Sequence, residues 1–382
     1  MSDPERIPFS RPAIVGAEAT YIDQALREPA RQGGGRFTRQ CHAALSGTLG
    51  GADVLLTQSC TAALEMAALL CDVKPGDEII MPSFTFVSGA NAFVLRGAVP
   101  VFVDIDAATQ NLDPESAAQA ITPRTRAIVP THYAGIGADM PRFRKLAAKH
   151  QLRLIEDAAQ GFLATLDGKP LGTLGDIGAL SFHDTKNVSS GEGGALVLSD
   201  PALLRRAEIV WEKGTNRAEF HRGAVDKYTW VDVGASYLPS EITAAFLLAQ
   251  LEQRERITQA RREIWASYHE RLAGVGRSGG VSLPHVPSGA FHNGHLYYLI
   301  LESKAARDRL LQHLNQRGIG AVFHYVPLHS SPGGRRYARV VGEMPSTDRA
   351  GNCLVRLPLW AGMTEEHVDR VVRGVQEFFG TN

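Results

Sequence analysis

The chain reads as an α/β protein, a large unit on a mostly parallel sheet followed by a smaller α+β unit. Three observations lead there. From about residue 38 to 200, short apolar runs alternate with helix-like segments, and strands separated by helices imply parallel pairing covered on both faces. Polar residues gather just after several of these runs, at the edge where open α/β sheets receive ligands. Pro284 and Pro287, with nearby glycines, read as a linker, after which a second and shorter pattern begins.

In chain order, residues 1–37 form an N-terminal segment with one helix near Ala17–Arg27 and the glycine cluster RQGGGRF. Residues 38–275 form the large unit. Its expected strands are DVLLT, EIIMP, VPVFVD, RAIVPTH and LRLIED, and its expected helices include Thr61–Cys71, Phe86–Arg96 and Pro141–His150. Residues 202–275 look helical, with SEITAAFLLAQLEQRERITQARREIWASYHERL as two helices in succession or one kinked element. Residues 276–382 form the smaller unit. It holds a strand LYYLIL, a helix Ala305–Arg317, the run AVFHYVPLH and a last helix near Glu365–Phe379.

Composition narrows the function classes. The 382 residues are 44% hydrophobic and 21% charged, ordinary for a globular enzyme. Lys+Arg and Asp+Glu are equal at 40 each, so there is no basic footprint for nucleic acid and no polybasic membrane patch. No apolar run has the length of a membrane span, and MSDPERIPFS lacks a signal-peptide core, so the expected compartment is the cytoplasm. Cys41, Cys60, Cys71 and Cys353 form no C-x-x-C pair, and His324 and His329 flank Pro327 in poor ligand geometry. No metal site is expected.

Four stretches carry chemistry. In TQSCTAALEMAALL a strand ends and Ser59, Cys60 and Thr61 open an apolar helix. Free N–H groups and a hydroxyl at a helix start bind an anion such as phosphate, although an ordinary N-cap has the same appearance. In LRLIEDAAQG, Asp157 closes a buried-looking strand, either pairing with a protonated ring nitrogen or capping the next helix. In PSFTFVSGANAF, Phe84 or Phe86 either stacks on a flat ring or fills the core. In LSFHDTKNVSSGEGGALVLSD, Lys186 stands at the mouth of a glycine-rich turn between two buried-looking runs. Lysines are ordinarily solvated. Desolvation lowers the proton affinity of an amine and yields the neutral nucleophile that bonds to an aldehyde.

The order of these features resembles the pyridoxal-phosphate enzymes of the aspartate-aminotransferase fold. More narrowly, the chain resembles the DegT/DnrJ/EryC1/StrS sugar aminotransferases, from IPFSRPAIVG to RLPLW, on the combination of PSFTFVS, EDAAQ and SFHDTKN…GEGG. The resemblance implies pyridoxal 5'-phosphate held covalently by Lys186, with Asp157 on its ring nitrogen and Gln160 at its polar edge. Phe86 would cover one face, and Cys60, Thr61, Ala62 and Ser181 would form the phosphate cup. It also implies a homodimer or a dimer of dimers. One departure is Leu238 in GASYLPSEITAA, where many members carry an asparagine that reaches the neighbouring subunit's phosphate; Ser236 or Ser240 would have to replace it.

The run EKGTNRAEFHRGAVDKYTWVDVGASYL is similar to the branch that converts dTDP-4-keto-6-deoxyglucose to dTDP-4-amino-4,6-dideoxygalactose. That branch uses L-glutamate as donor and serves surface polysaccharides such as enterobacterial common antigen. Arg217, Arg222 and Lys227 in this run suit a diphosphate, and equally suit a solvated, salt-bridged loop. FHYVPLH is similar to the segment that faces the sugar nucleotide, which makes His324, Tyr325 and His329 substrate candidates. Other readings are a different C3 or C4 aminotransferase, or a non-catalytic protein on the same fold. Relatives that dehydrate a sugar replace the lysine with histidine, and a dehydrogenase would show a glycine fingerprint after the first strand.

Overall fold

A computed structural model describes residues 6–29, 31–277 and 280–381. Strands β1 (Asp53–Thr57), β2 (Glu78–Pro82), β3 (Val99–Val103), β4 (Thr125–Ile128) and β5 (Arg153–Asp157) alternate with helices. Two short strands, β6 (Thr165–Leu166) and β7 (Lys169–Pro170), form a hairpin before β8 (Ile177–Ser181) and β9 (Gly194–Leu198). The C-terminal part adds β10 (Val281–Ser282), β11 (Ala290–Phe291), β12 (Tyr297–Leu301), β13 (Arg339–Val340) and β14 (Leu354–Leu357).

The main sheet has eight strands in the order β1-β9-β8-β5-β4-β2-β3-β13. Only β9 runs against its neighbours; the other pairings are parallel. A mostly parallel sheet needs both faces covered, and the sequence pattern agrees: β2, β8 and β9 are buried at every position. All five strands read in the sequence of the large unit form. The helices form as Cys60–Leu70, Val87–Val94 and Met140–His150, within a residue or two of expectation. The run from 240 resolves into two successive helices, Glu241–Glu252 and Arg254–Arg271, rather than one element. A helix Arg36–Thr48, which the sequence reading did not single out, packs on the same sheet. Its first N–H groups are capped by the buried carboxylate of Glu241, which accepts from Gly35, Phe37 and Thr38.

A second sheet, β10-β12-β14, is antiparallel. Its core holds Tyr297, Leu299 and Val355 with Leu310, Leu314, Val371 and Val372 from the helices Lys304–Gln316 and Glu365–Phe379. Ile264, Trp265 and Tyr268 of the helix Arg254–Arg271 enter the same core, as does Ile7. The C-terminal part also reaches back through β13 onto the edge of the main sheet. Arg339 there grips the buried Glu78 carboxylate with two hydrogen bonds of 3.0 and 2.8 Å.

Candidate active site

The carboxyl ends of β1, β5 and β8 converge because these strands run the same way. Thr57 and Ser181 both face Gly194 across the antiparallel strand between them. A cavity of about 800 Å³ opens at this edge. Its wall comes from Ser59, Cys60, Thr61, Phe86, Asp157, Gln160, Ser181 and Lys186 at the edge of the main sheet, and from His324, Tyr325 and Arg356 of the C-terminal part.

The helix Cys60–Leu70 begins at this edge. Ser59 is its N-cap, and its hydroxyl accepts from the Ala62 N–H at 3.1 Å. Ordinary capping therefore uses the Ala62 N–H, which departs from the expectation that Ala62 offers it to phosphate. Helix starts leave their first N–H groups without intrahelical acceptors, so the N–H groups of Cys60 and Thr61, on the cavity wall, are suited to an anion. Thr61 Oγ1 donates to Ser88 Oγ at 2.8 Å, adding hydroxyls to the cup. Gly194 lets β9 approach the helix start closely: a Cβ there would collide with Ser59 C and Cys60 N. The half-buried Cys60 thiol keeps its proton; desolvation and then Asp157 push it well above its usual range, while Lys186 opposes.

Asp157 is the last residue of β5 and is 5% exposed. Its Oδ1 accepts from the Ala159 N–H at 3.1 Å. Among the described residues no cationic side chain lies within 4.0 Å of it. Burial raises its proton affinity, against the Ala159 N–H, Lys186, His132 and Thr131. A buried carboxylate without a salt bridge is costly unless a cation is supplied, and a protonated ring nitrogen is such a cation. Behind it, His132 Nε2 and Glu156 Oε2 meet at 2.7 Å. Glu156 also accepts from the N–H groups of Gly172, Leu174 and Gly175. This dry network fixes the strand end from which Asp157 projects.

Lys186 follows the turn after β8, with its own N–H donating to His183 O at 2.8 Å. Burial lowers its proton affinity, and Arg356 lowers it further, while Cys60 and Asp157 oppose. The amine is thus biased toward the neutral, nucleophilic form. Gln160 Oε1 accepts from the Ala134 N–H at 2.7 Å, and its Nε2 donates to Tyr325 Oη at 2.9 Å. Phe86, the N-cap residue of the next helix, is 58% exposed on the cavity wall, while Phe84 is buried in the core. Phe86 is thus the available ring, and it lies 6.4 Å from the Tyr325 ring.

His324 stacks on Tyr325 at 3.7 Å, and its Nδ1 meets Tyr133 Oη at 2.7 Å. Burial, then Arg356 and Lys186, hold His324 neutral. His329 lies outside the cavity. It is fastened to Ser83 Oγ at 2.7 Å and faces Asp348 at 3.3 Å, because the short helical turn Leu328–Ser330 carries it away. Arg217, Arg222 and Lys227 are also outside. Arg222 forms a paired bridge to Glu208 at 2.7 Å, Arg217 lies 3.2 Å from His221, and Lys227 is exposed. Leu238, Ser236 and Ser240 line a separate surface pocket of about 360 Å³ with Arg217 and Lys213. Ser240 is already spent as an N-cap, accepting from the Thr243 N–H at 3.2 Å.

The sequence reading missed Tyr133, His295 and Arg356. Arg356 left a signal, a charge inside the otherwise apolar run LVRLPLW. Tyr133 and His295 left none, since their role depends on what packs against them.

A buried carboxylate, a desolvated lysine, an open helix start with hydroxyls and an exposed ring in one cavity define a pyridoxal-phosphate enzyme, and these residues fit that group. The comparisons agree. The chain matches the DegT/DnrJ/EryC1/StrS aminotransferase family over residues 12–376, and it belongs to that family. It is 33% identical to GDP-perosamine synthase of Caulobacter vibrioides over 99% of both chains. Among solved structures it is similar to the aminotransferase TlmJ of Streptoalloteichus hindustanus, with a TM-score of 0.89, 30% identity and coverage of 98% and 99%. Spr1654 of Streptococcus pneumoniae, solved in a PLP form, gives a TM-score of 0.90 at 26% identity, with the same coverage. The cofactor is pyridoxal phosphate, and the fold is that of the aspartate-aminotransferase class. Among the described residues no helix is long and apolar enough to cross a membrane.

Proposed function

We propose that the protein moves the amino group of L-glutamate to C4 of a nucleotide-linked keto-sugar. The substrate of this reading is dTDP-4-dehydro-6-deoxy-D-glucose and the product dTDP-4-amino-4,6-dideoxy-D-galactose. The observation that carries it is Lys186 and Asp157 brought into one cavity of about 800 Å³, wide enough for a sugar, in a chain of an aminotransferase family. The finer choice of sugar and base rests on the resemblance of the run 212–238. Identity with a GDP-perosamine synthase favours a second reading, a GDP-linked sugar in the same reaction.

Pyridoxal phosphate, when bound, supplies the electron sink that makes a donor's α-hydrogen acidic. Cys60, Thr61, Ser88 and Ser181 would hold its phosphate, Asp157 its ring nitrogen, and Phe86 one face. Lys186 Nζ, its proton affinity lowered by burial, takes the proton from the donor's Cα in the first half-reaction. In the second it delivers a proton to C4 of the sugar. Tyr325, held by Gln160, and His324, held by Tyr133, orient what enters from the smaller unit.

The reading includes a second copy of the chain. Tyr228, Trp230, Val231 and Val233 are 53%, 77%, 50% and 52% exposed, an apolar stretch that water disfavours. In a dimer this stretch, with Arg217 and Lys227, would approach the neighbouring site.

The test is one assay: purified holoenzyme, L-glutamate, and the 4-keto-6-deoxy sugars of dTDP, UDP and GDP, with NMR of the product. An axial C4 amine on the dTDP sugar is the expected result. Amination only of the GDP sugar favours the second reading. Cofactor binding without amination of any keto-sugar would defeat both.

A further inference from the structure

We infer that His295 is a positioning residue for the lysine of the cavity: its ring Nε2 accepts a hydrogen bond from Lys186 Nζ while that amine holds the proton taken from a substrate, a step that rests on the aminotransferase reading. His295 stands between β11 and β12, and the chain around it is held from three sides. Arg261 of the helix Arg254–Arg271 donates to Gly294 O and His295 O at 3.1 and 2.5 Å. Gly294, at φ +63°, lies so close to that helix that a Cβ would collide with Arg261 C and Arg262 N. The His295 N–H donates to Asn293 Oδ1 at 3.0 Å, and Asn293 Nδ2 donates to Gln160 O and Phe162 O at 2.8 Å each. The third side is Asn187, the residue after Lys186.

Asn187 fixes which ring nitrogen carries the hydrogen. Its Nδ2 donates to Asn293 O at 2.8 Å, so its Oδ1 is the acceptor, and this oxygen faces His295 Nδ1 at 3.0 Å. The hydrogen of the neutral ring is therefore on Nδ1, and Nε2 keeps a lone pair. Burial first, then Lys186, Arg261, His324 and Arg356, hold the proton affinity of the ring well below its ordinary value of 6.5. His295 is 9% exposed and lines the cavity, and its Nε2 has no hydrogen-bond partner among the described residues. A fixed, acceptor-only atom on a cavity wall calls for a donor. Asn187 ties it to the chain one residue from Lys186, whose charge acts on the ring more strongly than that of either arginine.

The amine needs such a partner at one moment only. Lys186 acts from its neutral form, and on taking a proton it becomes an ammonium group with three N–H donors in a site poor in water. Asp157 is engaged by the ring nitrogen in its proposed role. A second carboxylate beside the amine would hold it protonated from the start and stop it acting as a base. A neutral imidazole lone pair supports the ammonium without adding a charge, so the proton is held for the transfer and given up afterwards.

The experiment uses the full chain loaded with pyridoxamine phosphate, the form in which Lys186 is free, and the variants His295→Leu and His295→Gln. NMR of lysine isotope-labelled at Cε reports the titration of Lys186, whose signal is assigned by its absence in Lys186→Ala. Cys60, Asp157 and Arg356 also act on this amine, and Arg261, His324 and Arg356 on the ring. All of them stay in both variants, so the difference reads the His295 side chain. In His295→Leu the Lys186 titration should move down by about one to two pH units, the worth of a hydrogen bond to a charged group. His295→Gln, which offers an oxygen near the place of Nε2, should recover part of that shift. In the wild type, nitrogen NMR of labelled histidine should show a neutral ring with its hydrogen on Nδ1, and the Nε2 signal should move as Lys186 titrates. This second reading stands if His295→Leu does not fold. A Lys186 titration unchanged in His295→Leu, a hydrogen found on Nε2, or a loss confined to the KM for the keto-sugar, the mark of a ring that meets a substrate hydroxyl, would overturn the assignment. Failure of borohydride to tag Lys186 in the wild type is a separate result, seen before any variant is made, and it would remove the aminotransferase reading itself.

Discussion

Replacing Asp157 by Asn changes a charge and almost no volume. The carboxylate is 5% exposed, accepts one backbone N–H at 3.1 Å, and has no cationic side chain within 4.0 Å among the described residues. In the proposed role its cationic partner is the cofactor ring, and the variant would remove one side of a buried charge pair. Such a loss costs about 3–5 kcal/mol. At about 1.4 kcal/mol per tenfold, the proton-abstraction step slows by about a hundred- to several-thousandfold. The assay is a rapid-mixing measurement of the L-glutamate half-reaction, with glutamate deuterated at Cα to show that proton transfer limits the variant. Stability supplies an independent readout. An acid whose proton affinity rises on folding stabilises the fold fully only below its ordinary value of 3.8, and that contribution is lost as pH rises. Without cofactor at neutral pH, Asp157→Asn should therefore melt at or above the wild-type temperature. Added cofactor should raise that temperature less than in wild type. A half-reaction within threefold of wild type would refute the ring-nitrogen role. A cofactor-free variant that melts well below wild type would show that the carboxylate is a structural group.

Lys186→Ala should abolish turnover and borohydride tagging. In the wild type, tagging should already proceed well below the amine's ordinary value of 10.5, since burial depresses it. A variant that still completed multiple cycles would sink the assignment. Phe86→Ala should weaken cofactor affinity about two- to tenfold, the worth of a ring–ring contact, without lowering the melting temperature of cofactor-free protein, because the ring is 58% exposed. Glu78→Gln should cost about 1–3 kcal/mol at neutral pH by loosening Arg339 and Arg124, measured by urea titration. Burial pushes Glu78 up, but hydrogen bonds from Arg339, Thr122 and Arg124 bring it down to about 2, so its contribution should be present above 4.5 and lost as pH falls toward 2. Wild type and variant should then converge in acid, and a constant difference across that range would contradict the linkage.

The strands were legible because each is a local matter. EIIMP is a strand because its apolar run fits a sheet covered on both faces, and all of it is buried. Asp157 and Lys186 were legible for a related reason, a charged group at the end of a run that otherwise excludes charge. The helix Arg36–Thr48 was harder to see, because the acid that caps it, Glu241, lies some 200 positions along the chain. The resemblance placed Ala62 in the phosphate cup, yet its N–H is taken by Ser59, three positions earlier, in ordinary capping. His329 stands five positions after His324 in the sequence, yet one turn of chain sends it to Ser83 and Asp348 while His324 stays with Tyr133.

The sequence by itself determined the alternating pattern, the order of chemical groups along it, and the lysine between two buried strands. These follow from backbone geometry and side-chain periodicity, which act over a few residues. Only the tertiary structure decided which distant groups share a cavity. Arg356 lines the same cavity as Lys186 because β14 packs between Tyr298 and Val322, while Arg222 is drawn to Glu208 instead. Such choices are made by the burial of whole faces against one another, and no short stretch of chain contains them.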